Sequence, residues 1–187
     1  MVKFLFDANA FITPFNIYYH PEIAPGFWLK LKNYFETRNF YTIKKVYEEI
    51  LEKEDRLSNW MKELPSQKIL DSENDAKVME KYGELSDFLL QEYESEEEVE
   101  AFLESADAYL IAHAMADEEV VIVTFEKYSN SPTTPNIPAV CEKLNFNFSI
   151  ALQQNYELIW EIKNLDHLSS CKCITLFEAM YLAGVRI

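Results

Sequence analysis

VVIVTFE, residues 120–126, is the stretch on which the fold turns. Four apolar, β-branched residues run without polar alternation, which fits a strand buried on both faces. KFLFD, residues 3–7, has the same design: a short apolar run that stops at an acid, Asp7. Helical patterns lie between such strands, which argues for a parallel sheet covered on both faces. Ligands of such sheets bind outside the carboxyl ends of the strands. Asp7 and Glu126 are therefore expected on one edge.

Working outward, Phe40–Ile43 reads as a second strand, preceded by a helix from Phe27 to about Thr37. Between Asp7 and that helix lies a turn-rich segment, TPFNIYYHPEIAPGF, with Pro14, Pro21, Pro25 and Gly26. Lys44 to Lys62 reads as one helix with Val46, Tyr47, Ile50 and Leu51 on its apolar face. Helices are expected over Ser72–Glu94 and Ser105–Ala116, the first starting near an Asp/Ser cap. After a proline-punctuated loop, Ser131–Pro138, come a short helix over Ile137–Leu144 and a strand over Phe146–Ile150. Leu152, Tyr156, Ile159 and Trp160 fall at helical spacing, as packed core or as a partner or dimer contact. Cys171–Leu176 reads as a last strand and Phe177–Ala183 as a last helix. The 187 residues suit one domain.

Apolar residues make up 49% of the chain, enough for a sizeable core, and no run approaches the roughly 20 residues that span a bilayer. Asp7 interrupts the N-terminal apolar stretch too early for a signal peptide, so a cytoplasmic location is expected. Cys141, Cys171 and Cys173 suit reduced thiols. Cys171 and Cys173 are too close for a zinc pair and have no second pair to complete four ligands. The net charge is −15, which argues against a broad nucleic-acid surface. No Lys or Arg occurs between Lys81 and Lys127, and Gln91–Asp107 is dense in acid. That run is either a solvated helix face or loop, or a surface for a basic partner. Lys30, Lys32, Lys44 and Lys45 are the clustered basic candidates.

Four acids carry the chemistry. Asp7 and Glu126 follow strands, Asp107 opens a helix in SADAYLIAHA, and Glu49 lies near the apolar face of the helix after the second strand. Thr42 and Thr124 end strands and offer hydroxyls. Crowded carboxylates repel, and some take up protons unless a cation removes the cost. Magnesium and manganese are hard, oxygen-seeking ions suited to phosphate chemistry. Other chemistries fit less well. Gly26, Gly83 and Gly184 are the only glycines, too few for a phosphate-cradling loop or dinucleotide fingerprint. There is no G-x-S-x-G elbow. His20, His113 and His167 form no i, i+4 metal pair, and His113 reads as a packed residue. An aspartyl phosphotransferase would have an acid where Asn9 stands.

FLFDANAFI, with Asp7, Asn9 and Ile12, resembles the opening of PIN domains. VYEEI resembles the family's second motif with Glu49, SADAYLIAHA its third with Asp107, and VVIVTFE its fourth with Thr124 and Glu126. Tyr19–Trp28 (loosely), Ile137–Cys141 and Ile174–Met180 resemble segments of an uncharacterised PIN-like branch. The resemblance implies a three-layer α/β/α sandwich with a central parallel sheet. It also implies Mg2+ or Mn2+ held by Asp7, Glu49, Asp107 and Glu126, with Asn9 and Thr124 supporting them. The implied activity is RNA hydrolysis, often as the toxin of a toxin–antitoxin pair whose antitoxin holds it inactive. Three departures stand out: Glu126 where most PIN domains have Asp, an abundance of acids around Asp107, and an apparent insertion over residues 149–170. Glu104 and Asp117 are nearby acids that could be mistaken for ligands. The rival readings are a PIN-like protein-binding module without catalysis and a metal-dependent phosphatase.

Overall fold

β1 (Lys3–Phe6) runs through the middle of an all-parallel sheet. β2 (Phe40–Ile43) and β4 (Val120–Val123) flank it, and β3 (Ile69–Leu70) and β5 (Cys173–Ile174) lie outside them, giving the order β3-β2-β1-β4-β5. These elements come from a computed structural model that describes residues 2–144, 173–176 and 179–180. The register sets Phe6 level with Thr42 on one side and Val123 on the other. Helices cover both faces, so the fold is a three-layer α/β/α sandwich, as the sequence led us to expect. Among the described residues, no helix is long and apolar enough to cross a membrane.

The apolar runs become the central strands because both faces of the sheet are covered; β1 beyond Lys3 and all of β4 are buried. Phe6 packs against Phe11 of α1 (Asn9–Thr13), Phe35 of α2 (Pro25–Thr37) and Phe40 of β2, at ring-centroid distances of 5.5, 5.0 and 4.8 Å. α7 (Ala106–Ala116) is apolar on nearly every side and is packed between α5 (Ala76–Glu92), α6 (Glu96–Glu104), α8 (Ile137–Lys143) and β4. Asp107 and Met115 are its only residues that are not fully buried. Cys141 is buried in α8.

Several segments differ from the sequence reading. The helix expected over Lys44–Lys62 is two helices, α3 (Lys44–Leu51) and α4 (Arg56–Met61). A capping box divides them: Asp55 accepts from the Ser58 N–H at 2.9 Å, and the Asp55 N–H donates to Ser58 Oγ at 3.1 Å. α5 begins at Ala76 rather than near Ser72, because Asp75 accepts from the N–H groups of Lys77 and Val78. Over Glu96–Glu104 the acidic run forms a helix whose glutamates are exposed, whose Val99 and Phe102 are buried, and whose start Ser95 caps. Three glutamates in the first turn complement the helix dipole. The turn-rich segment is helical for its first third. α1 continues through Pro14 into a π-helical turn, Pro14–Tyr18, closed by the Tyr19 N–H to the Pro14 carbonyl at 2.7 Å. A wide turn tolerates proline there because its missing N–H falls at the first position. The expected strand at 146–150, the segment 149–170 and most of the last helix lie outside the described residues.

Candidate metal centre

The sheet order fixes where the acids meet. Successive strands step outward from β1 through β2 to β3, and the chain then crosses to the other side for β4 and β5. β1 and β4 therefore flank the switch point, where parallel sheets leave a crevice at their carboxyl ends. Asp7 and Thr124 are the first residues past the level pair Phe6 and Val123. The Asp7 N–H extends the ladder to the Val123 carbonyl at 3.0 Å, and the Thr124 N–H reaches Ile174 at 2.9 Å.

Asp7 is the innermost acid, only 2% exposed. Thr124 Oγ1 donates to Asp7 Oδ2 at 2.7 Å and accepts from the Glu126 N–H at 3.0 Å. Glu126 Oε2 accepts from the Ile137 N–H at 2.9 Å, which ties the strand exit to the first turn of α8. Asp107 sits in the first turn of α7, whose start is set by Ser105: its Oγ accepts from the Asp107 N–H at 3.2 Å and donates to the Phe102 carbonyl at 2.6 Å.

The charges that act on each acid show which acids lie near one another. Burial pushes Asp7 up to about 7; the Thr124 bond opposes this, and the charges of Glu126 and Glu49 add to it. Burial pushes Asp107 up to about 8, helped by the charges of Asp7, Glu126 and Glu49. Burial raises Glu126 as well, against the Ile137 N–H. Glu49 is raised by partial burial and by Glu52, and lowered by Lys53. It is the outlying member, because its side chain is solvent-exposed and its own strongest charged neighbours lie on its own segment. Its neighbour Glu48 is exposed as well. Among the described residues, no Lys or Arg forms an ion pair with any of the four.

A divalent metal suits this donor set in chemistry and charge: all the donors are carboxylate oxygens, and two of the carboxyls are pushed up to about 7 and about 8, chiefly by burial and further by neighbouring carboxylates. The convergence is incomplete, since no three His, Cys, Asp or Glu among the described residues already surround a common point. The Ile137 N–H holds one Glu126 oxygen, and Glu49 stands in solvent.

The other candidates take different places. Asn9 is half-buried at the start of α1, two residues from Asp7. Thr42 ties β2 to β1 by donating to the Phe6 carbonyl at 2.9 Å, so it is a cross-strand link rather than a site hydroxyl. Asp117 pairs with Lys3 beyond the far end of α7, and Glu104 is exposed. His113 is packed as expected, sharing a hydrogen bond with Ser72 Oγ at 3.0 Å, and burial lowers its pKa. Lys32 pairs with Glu63 and Lys44 reaches Glu48, so these lysines serve local acids. Lys45 donates to the Glu104 carbonyl and lies over the Tyr109 ring. A pocket of about 180 Å³ opens beside Lys44 and Lys45, but Glu48, Asp71 and Glu73 share its lining and none of the four site acids does. The sequence reading missed Ser105 and Ile137, which fix Asp107 and Glu126. The Ser-x-Asp spacing was the available signal for the first; the second is a backbone N–H and had none.

Residues 4–160 match the family described as Domain of unknown function (DUF4411). The chain belongs to that family. The DUF4411 match spans β1 through β4 and thus all four acids. No curated protein and no solved structure matches the chain.

Proposed function

We propose that this DUF4411 chain is a Mg2+- or Mn2+-dependent endoribonuclease of PIN type, hydrolysing RNA phosphodiesters at the carboxyl edge of β1 and β4. The observation that carries the reading is the meeting of Asp7 and Asp107, from a strand end and a helix start 100 residues apart, with Glu126 beside them. The charge of Asp7 raises Asp107's cost of ionisation, that of Glu126 raises both, and among the described residues no Lys or Arg forms an ion pair with them. A buried group of acids with no paired base is a poor structural device and a good cation seat. The PIN-like motifs FLFDANAFI, VYEEI, SADAYLIAHA and VVIVTFE fall on these same residues.

Asp7 and Asp107 would be the principal metal ligands, with Glu126 and Glu49 completing the set. A divalent ion bound there offsets the negative charge of the attacking and departing oxygens. Thr124 keeps one Asp7 oxygen engaged, and Ser105 fixes the helix turn that presents Asp107. The motif likeness to stand-alone PIN toxins extends the proposal to the toxin of a toxin–antitoxin pair, acting in the cytoplasm as a monomer or homodimer until an antitoxin binds it.

The test is cleavage of a labelled, mixed-sequence RNA with Mg2+, Mn2+ or EDTA, beside an Asp7→Ala, Asp107→Ala double variant. Metal-dependent cleavage that vanishes in the variant supports the reading; cleavage that survives in the variant comes from a contaminant. The incomplete convergence of the acids favours one rival, a PIN-like binding module without catalysis. That rival gains if calorimetry detects no Mg2+ or Mn2+ binding.

A further inference from the structure

We infer that Tyr18, backed by Phe125, is a stacking platform for an unpaired base of the RNA substrate. This inference rests on the ribonuclease reading and adds to it a residue outside the carboxylate group.

Phe125 stands between Thr124, which holds Asp7, and Glu126. Tyr18 stacks on it with ring centroids 6.0 Å apart and planes 25° from parallel. Tyr18 is nevertheless 57% exposed, so much of its ring meets solvent at the margin of the site. A large aromatic left open beside a candidate phosphodiester site offers a flat π surface where a neighbouring nucleotide would pass.

The segment that carries Tyr18 is firmly held. It ends the π-helical turn after α1, and the next residue is fixed twice: the Tyr19 N–H donates to the Pro14 carbonyl at 2.7 Å, and the buried Trp28 indole donates to the Tyr19 carbonyl at 2.6 Å. Tyr19 also stacks on Phe27 at 4.2 Å. π-helical turns occur disproportionately at functional sites, where the extra residue re-aims a side chain. Here the turn delivers Tyr18 to the loop after β4, more than 100 residues away in sequence.

Charge gives the second reason. A chain with net charge −15 cannot rely on a lysine field to hold RNA, and Lys32, Lys44 and Lys45 already serve acids and carbonyls of the protein. Stacking is indifferent to net charge and to base identity, and is the usual grip on single strands. A base inside a duplex keeps its own neighbours and cannot use the platform.

The test uses the full chain with Mg2+ or Mn2+ and a short labelled RNA, alone or annealed to its complement. Tyr18→Ala should raise KM for the single strand roughly 10-fold or more, within the range known for one base–aromatic stack, while kcat and the melting temperature change little. Tyr18→Trp should restore KM. Ile23→Ser, which removes an exposed apolar side chain further along the same segment, should leave KM unchanged. An unchanged KM in Tyr18→Ala, or equal cleavage of duplex and single strand by the unsubstituted protein, overturns the platform and leaves the ribonuclease standing. Equal KM losses in Tyr18→Ala and Ile23→Ser also overturn it, in favour of a protein-docking surface. Absence of all RNA cleavage by the unsubstituted protein overturns both readings together.

Discussion

Replacing Asp107 with asparagine should stabilise the metal-free protein, and by an amount that depends on pH. The carboxyl titrates near 3.8 in an unfolded chain and near 8 in the folded one. A folded-state value above the unfolded one means that the folded protein holds its proton more tightly. Folding is therefore unpenalised below pH 4, and stability is lost as pH rises from about 4 to about 8. At pH 7 the unfolded carboxyl has released its proton while the folded one has kept most of its own, a difference of about 3 units, or roughly 4 kcal/mol. At pH 5 the same difference is about 1 unit, or roughly 2 kcal/mol. Asparagine escapes this loss but brings an amide into a half-buried place, at a cost of about 1–3 kcal/mol. The net gain for Asp107→Asn is then about 2 kcal/mol at pH 7, a rise of roughly 4–8 °C in melting temperature, and near zero at pH 5. Urea and thermal melts in EDTA across pH 5 to 8 measure it. A variant less stable than the parent at pH 7, or a difference that does not grow with pH, would show that burial and the neighbouring acids do not hold Asp107 protonated.

Magnesium should raise the melting temperature of the parent and not of the Asp7→Ala, Asp107→Ala double variant; at a hundredfold excess over Kd the gain is about 3 kcal/mol, read by differential scanning calorimetry. Thr124→Val keeps the shape of a buried side chain but strips Asp7 of its 2.7 Å donor; it should cost about 1–3 kcal/mol and cost more at pH 8 than at pH 5, where Asp7 is protonated in both proteins. Glu126→Ala should loosen the link to α8 by about 1 kcal/mol, whereas Glu126→Gln keeps an acceptor for the Ile137 N–H; denaturant melts separate the two, and calorimetry should find metal affinity reduced in both. Phe6→Ala opens a hole among Phe11, Phe35 and Phe40 and should cost about 3–5 kcal/mol, visible as a lower urea midpoint with the slope unchanged.

The strands at the site could be read because they obey a local rule. β1, β2 and β4 are short apolar runs with a polar residue at the exit, and buried parallel strands leave that signature whatever surrounds them. β3 escaped because two residues carry no periodicity, and its place at the edge comes from pairing with β2. The break between α3 and α4 was hidden for the opposite reason: the apolar spacing runs on through the gap, and only the Asp55–Ser58 cap betrays it. The same contrast divides the acids. Asp7 and Glu126 follow strands, so the strand-end rule places them on one edge. Asp107 needs the direction of α7, and Ser105 at its start supplies that in retrospect.

Glu49 and Tyr18 mark where the one-dimensional reading stops, and they err in opposite senses. Glu49 lies close to Val46 and Ile50, so the helical pattern brings it toward the core, yet in the folded chain it is exposed. Tyr18, in a stretch dense with prolines, reads as part of a turn, yet a π-helical turn carries it onto Phe125. An apolar pattern reports which side of an element is covered and says nothing of what stands opposite. Contacts between residues more than 100 positions apart, such as Thr124 with Asp7 and Tyr18 with Phe125, depend on the crossover from β3 to β4 and on the wide turn after α1. The first of these contacts was foreseeable, because sheet topology constrains strand ends. The second was not, because a single extra residue in a helical turn rotates every later side chain by roughly 100°, and only the folded chain records that rotation.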